Sequence, residues 1–159
     1  MTEVALDPHT FGAEQPCFGC APGHPIGFRL QFSRDGDEVI TRFVPRSDWQ
    51  GPPGIMHGGL VMAVADELAA WTIIGLKGRL GFTASASTRL RRPLRIGQEV
   101  VGRGRIVEDA GRVLKIAVTL RQSDADAFTG EFTFALLDEG GATRLLGAPL
   151  PDSWKRFCR

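Results

Sequence analysis

The stretch WQGPPGIMHGGLVMAVADELAAWTIIG, residues 49–75, decides the fold. Its first third is dense in Pro and Gly and reads as a loop. A helix is predicted from near Met56 and His57 to Gly75, where glycine supplies the stop. The interior LVMAVADELAAWTII is apolar on every side except for Asp66 and Glu67. A helix with no polar face belongs in the middle of a core.

On both sides of this helix the period changes from helical to alternating. Upstream, FRLQFS and VITRFV flank Asp35-Gly36-Asp37 and predict a hairpin. Downstream, four segments of about ten residues run from Gly81, separated by turn signals at Arg95-Ile96-Gly97, Asp109-Ala110-Gly111 and Ser123–Asp126. They predict an antiparallel meander ending at Asp138-Glu139-Gly140-Gly141. Two strands, one apolar helix and four long strands make an α+β domain, a curved antiparallel sheet around a central helix. Residues 1–25 read as an irregular N-terminal arm, 26–147 as the domain and 148–159 as a peripheral C-terminal tail.

Composition excludes several classes. At 159 residues there is room for one core, and 43% hydrophobic with 23% charged residues is globular. A net charge of +1 argues against a dedicated nucleic-acid binder. No apolar run reaches the roughly 20 residues a membrane span needs, and the N-terminus lacks a signal-peptide pattern. A cytoplasmic protein without membrane or nucleic-acid partners is expected.

Helical spacing places Gly59, Met62, Ala63, Asp66, Ala70 and Ile73 on one stripe, most of it small. A ligand or a second helix can approach Asp66 there. A carboxylate in such surroundings costs several kcal/mol to desolvate unless paired, and its pKa rises. That suits a general base or nucleophile; the alternative is a solvated edge or an arginine partner. Glycines at a helix start leave backbone N–H groups open to a ligand, where they hold a carbonyl or an oxyanion.

These residues resemble the hotdog-fold acyl-CoA thioesterases, in particular their PaaI-like branch. The resemblance rests on Gln50-Gly51-x-Pro53-Gly54-Ile55-x-His57-Gly58-Gly59, then Asp66-Glu67, then Thr83 through Arg91-Arg92-Pro93-Leu94, and covers roughly residues 26–138. Cys17-Phe18-Gly19-Cys20 followed by Pro25-Ile26-Gly27 resembles the family's lead-in. The resemblance implies a hotdog fold and thioester hydrolysis without metal or redox cofactor. Gly58 N–H would polarise the carbonyl, with His57 or Gln50 nearby. Asp66 would activate water or attack directly, and Thr83 would position the water. Gly59, Glu67, Arg91 and Arg92 would meet the substrate. Gln50 stands one residue out of the family register.

Spacing bears on assembly. Gly58 and Asp66 are eight residues apart, about 12 Å along a helix, whereas a reacting carbonyl must lie near 3 Å from both groups. Two antiparallel helices from two subunits can meet this condition, as in the family's dimer. A homodimer or a dimer of dimers is expected. Residues 89–121 hold nine basic residues against three acids, read either as a solvated sheet face or as a clamp for coenzyme A phosphates. Cys17-x-x-Cys20-x-x-x-His24 has partial zinc spacing, with only His9 or Cys158 to complete it; a packed loop without metal is expected. Two other readings stay open: a non-catalytic acyl-CoA binding or sensing module on the same fold, and a dehydratase acting on a hydroxyacyl thioester.

Overall fold

The computed structural model describes residues 2–159. The elements in chain order are β1 (Val4–Ala5), β2 (Phe32–Asp35), β3 (Glu38–Phe43), α1 (Gly58–Lys77), β4 (Gly81–Leu90), β5 (Val100–Asp109), β6 (Val113–Gln122), β7 (Ala125–Leu136), α2 (Glu139–Leu146) and α3 (Asp152–Lys155). All seven strands form one antiparallel sheet, in the order β1-β2-β3-β5-β6-β7-β4. Helix α1 packs across it, so the hotdog architecture expected from the sequence is the one observed.

The downstream strands differ from a plain four-strand meander. Only β5, β6 and β7 are consecutive neighbours. Strand β4 crosses to the far side of β7 and becomes an edge, while β5 pairs with β3 and joins the hairpin to the sheet. Alternation along a strand records which face is buried but not which strand lies beside it.

Helix α1 also runs past its expected end. It stops at Lys77, and Gly78 closes it in the left-handed conformation (φ 59°), its N–H bonded to Ile74 O at 3.0 Å. Gly75 has a different task, for a Cβ there would lie 2.8 Å from Leu6 Cδ1 and 3.0 Å from Val39 Cγ2. Its bareness lets the N-terminal arm and β3 close on the helix. Gly75→Ala is therefore expected to destabilise the fold by about 1–3 kcal/mol through overpacking, readable from denaturant unfolding. A stability equal to the parent's would mean the arm shifts freely.

At 20 residues, with a mean hydropathy of 1.6 over its most apolar window, α1 does reach the length and apolarity of a membrane span, contrary to the sequence reading. In this fold those residues serve as the core. Val64, Ala65, Leu68 and Ile73 are sealed against Val39, Val100, Ile116, Leu120, Phe128 and Phe134 of the sheet. The opposite face stays open: Gly59, Met62 and Ala63 are exposed and Asp66 is half-buried. The helix is therefore covered on one side only within a single chain.

The N-terminal arm and the C-terminal tail both join the fold. Val4–Ala5 adds a short edge strand to β2. Phe11 lies against Trp71, Trp154 and Phe157, and its carbonyl accepts from Ser153 Oγ and Trp154 Nε1, each at 3.0 Å. The arm read as irregular and the tail read as peripheral close one end of the core together. No local period announces such contacts.

Candidate functional site

The loop before α1 is stapled by its own side chains. Gln50 Nε2 donates to Ser47 O at 2.7 Å, and Gln50 Oε1 accepts from Gly54 N–H at 2.6 Å. His57 is the N-cap of α1: its N–H donates to Trp49 O at 2.8 Å, and its Nδ1 accepts from Gly59 N–H at 3.0 Å. The first free donors of a helix are thus shared out unequally. Gly59 N–H is taken by His57, and Leu60 and Val61 N–H by His57 O. Gly58 N–H, at the first helical position, has no hydrogen-bond acceptor among the described residues. It is aligned with the positive end of the helix dipole and available to an incoming oxygen.

Two turns further on, Asp66 Oδ1 accepts from Thr83 Oγ1 at 2.7 Å. Burial in the apolar stretch pushes the Asp66 carboxyl above its ordinary range, and the Thr83 hydrogen bond only partly offsets this. Strand β4 carries a bulge between Thr83 and Ser85. Such a bulge re-aims a side chain, and here the residue beside it is the one that reaches the acid. Along the rest of β4, Thr88 Oγ1 lies 3.7 Å from Met62 Sδ, and Leu90 borders Gly58. Gly58, Met62 and Asp66 therefore line one strip of helix surface bordered by one edge strand.

That strip is open. Phe82 and Leu90 are each 52% exposed and Met62 39%, and four consecutive residues of β4, Ala84 to Ser87, are exposed as well. An edge strand of ten residues with apolar ends beside an uncovered helix face is a template for pairing.

The remaining sequence-derived candidates fall elsewhere. The Glu67 carboxylate faces the N-terminal arm, accepting from Cys17 Sγ at 3.3 Å and Trp71 Nε1 at 3.2 Å. Burial raises its pKa too. It does not join Asp66 and Thr83 within the chain. Gln50 is committed to its loop. Arg91 and Arg92 border an open groove of about 620 Å³ with Arg121, Asp124 and Asp126. Arg121 is already held by Asp126 at 3.0 Å, and Arg91 Nε donates to Thr129 Oγ1 at 3.0 Å. Elsewhere Arg103, Arg112 and Lys115 pair with Glu38, Asp138 and Glu108. Sequence reasoning missed the place of Leu90 beside Gly58 and the union of Cys17 with Glu67. The latter pair stands fifty residues apart, and no spacing signals it.

Comparison with known proteins agrees with this fold. A family model described as the thioesterase superfamily matches residues 53–127, from the loop before α1 into β7. Among solved structures, thioesterase superfamily protein RHA08564 is similar at 23% identity with a TM-score of 0.70, over 82% of this chain and 69% of that one. The protein smu.793 from Streptococcus mutans UA159, bound to acetyl CoA, is similar at 19% identity with a TM-score of 0.63, over 67% of this chain and 87% of that one. An acyl-CoA hydrolase from Staphylococcus aureus, in complex with butyryl coenzyme A, is similar at 24% identity with a TM-score of 0.61, over 66% of each chain. A methylthioribose-1-phosphate isomerase of Aquifex aeolicus is 28% identical over 86 residues, 54% of this chain. The chain spans only 18% of that protein's length, so the isomerase activity in its name is not carried over. Sheet order and central helix give this chain the hotdog fold, and its residues 53–127 are similar to the thioesterase superfamily.

Proposed function

We propose that this chain hydrolyses acyl-CoA thioesters at a site shared by two subunits. The observation that carries the proposal is the strip on α1: an unengaged Gly58 N–H at one end and a desolvated, Thr83-bonded Asp66 at the other. Eight residues separate them, about 12 Å of helix, so one thioester carbonyl cannot meet both on one helix. An antiparallel second copy, pairing through the open β4 edge, would bring Gly58 of one subunit opposite Asp66 of the other.

In such a site the thioester carbonyl oxygen accepts from Gly58 N–H, and negative charge developing on it is held by that donor and the helix dipole. Asp66 either takes a proton from a water that attacks the carbonyl carbon, or attacks that carbon itself to form an anhydride that water then opens. Thr83 Oγ1 holds the carboxylate in place. The C–S bond breaks, coenzyme A leaves as the thiol, and the free acid remains. His57 fixes the helix start that presents Gly58 and Gly59. Nothing in these steps calls for a metal or redox cofactor, and coenzyme A enters as part of the substrate.

The groove beside Arg91 and Arg92 suits the nucleotide phosphates. The double variant Arg91→Ala/Arg92→Ala is expected to raise KM for acyl-CoA about tenfold, the loss of roughly 1.4 kcal/mol of binding, with kcat unchanged. The effect should vanish for acyl-pantetheine thioesters, which lack those phosphates. Equal losses on both substrates would show that the arginines do not meet the nucleotide. The parent reading is tested by a panel of aliphatic and aromatic acyl-CoA thioesters with thiol release monitored. Turnover of at least one supports it. Binding across the panel without thiol release would instead favour the acyl-CoA sensing module.

A further inference from the structure

We infer that Cys17, Cys20 and Glu67 form a binding site for a thiophilic divalent cation, zinc foremost, that ties the N-terminal arm to helix α1. The ligand atoms, two sulfurs and a carboxylate oxygen, all lie within 4.8 Å of one another. Ligands on a tetrahedral zinc, at about 2.3 Å for sulfur and 2.0–2.2 Å for oxygen, stand roughly 3.5–3.8 Å apart. Cys17 Sγ and Glu67 Oε1 are already 3.3 Å apart.

The loop is folded as a thiol-presenting turn. Cys20 N–H donates to Cys17 Sγ at 3.3 Å, and Ala21 N–H donates to Cys17 O at 3.1 Å. Gly19 rides directly over the carboxylate, where a Cβ would come within 2.5 Å of Glu67. Trp71 Nε1 donates to the same Glu67 Oε1 at 3.2 Å, the kind of outer partner that orients a ligating carboxylate.

Charge points the same way. Among the described residues, no Lys, Arg or His forms an ion pair with Glu67. An acid held between two thiols with no cation beside it is costly, and a divalent ion supplies the missing charge. The two thiols would lose their protons to solvent on binding. His24, the third ligand suggested by spacing, is turned elsewhere: its Nδ1 accepts from Gly27 N–H at 2.8 Å. Glu67 stands in its place. The fourth position falls to water or to Gln15 Oε1, which lies 3.7 Å from Cys20 Sγ. Sequence spacing alone favoured a packed loop because the third ligand comes from a helix fifty residues away.

The test uses the full chain, reduced and held without oxygen. Zinc content is measured as purified, and Co²⁺ is then titrated into the metal-free protein. About one zinc per chain is expected, with a thiolate-to-cobalt charge-transfer band of tetrahedral character. Cys17→Ser, Cys20→Ser and Glu67→Gln should each abolish the band, and Cys158→Ser should keep it. Trp71→Phe should weaken Co²⁺ binding roughly ten- to a hundredfold. Circular dichroism confirms that each variant is folded, and Glu67→Gln carries the test if a cysteine variant is not. No thiolate–cobalt band in the parent overturns the inference, as does a band whose affinity Glu67→Gln leaves unchanged. A Cys17–Cys20 disulfide that gives no band once reduced overturns it equally.

Discussion

Asp66→Asn is expected to lower acyl-CoA turnover by roughly a hundred- to ten-thousandfold, the usual worth of a positioned general base. If the carboxylate is the nucleophile, the loss should be at least as large. The substitution is chosen to disturb little else. The amide oxygen can still accept the hydrogen bond that Thr83 Oγ1 now gives at 2.7 Å, and no carboxylate remains to be desolvated in the half-buried strip. Stability should therefore match or exceed the parent's, measured by thermal unfolding. Binding of a non-hydrolysable acyl-CoA analogue, followed by calorimetry, should stay within a few-fold. Activity within twofold of the parent would mean that another group performs the chemistry.

The second large effect is expected from Gly58→Pro, which deletes a single N–H. Proline suits this position. It is the first residue of α1, where proline is favoured. The preceding His57 has φ −59° and ψ 130°, the extended region that a following proline requires. An added Cβ at 58 meets only Leu90 Cδ2, at an ordinary 3.6 Å. Because Gly58 N–H makes no hydrogen bond among the described residues, its removal costs the fold nothing there. Turnover should nonetheless fall roughly a hundred- to a thousandfold, as when one oxyanion donor is removed. The loss should appear in kcat rather than KM, because the donor matters most once charge has developed on oxygen. A stable, fully active Gly58→Pro variant would remove the oxyanion role from this helix start.

How much of this was legible in the sequence follows from the range of each interaction. A helix apolar on all sides, set between a hairpin and a run of strands, was enough to imply the curved sheet, because local period reports burial directly. The glycines after His57 and the acid nine residues on from it were legible as a candidate site because all lie on one helix. What the sequence withheld was non-local. The seat of β4 at the far edge, the packing of Phe11 with Trp154 and Phe157, and the closure of Gly75 on Leu6 depend on partners distant in the chain. The bulge that aims Thr83 at Asp66 leaves no mark in the alternation of β4. Glu67 shows the limit most clearly. Beside Asp66 it reads as a member of the same site, yet one residue's rotation on a helix carries it to the cysteines of the arm.

Subunit mixing tests the shared site most directly. Asp66→Ala supplies a sound Gly58 and Gly58→Pro a sound Asp66, and each homodimer should be nearly inactive alone. If the two groups meet across a twofold axis, mixed dimers hold one complete site and one doubly defective site. After equal mixing and full exchange half the dimers are mixed, so activity should return to about a quarter of the parent's. A mixture no more active than the two variants measured apart, with exchange verified by mass spectrometry, would contradict the shared site.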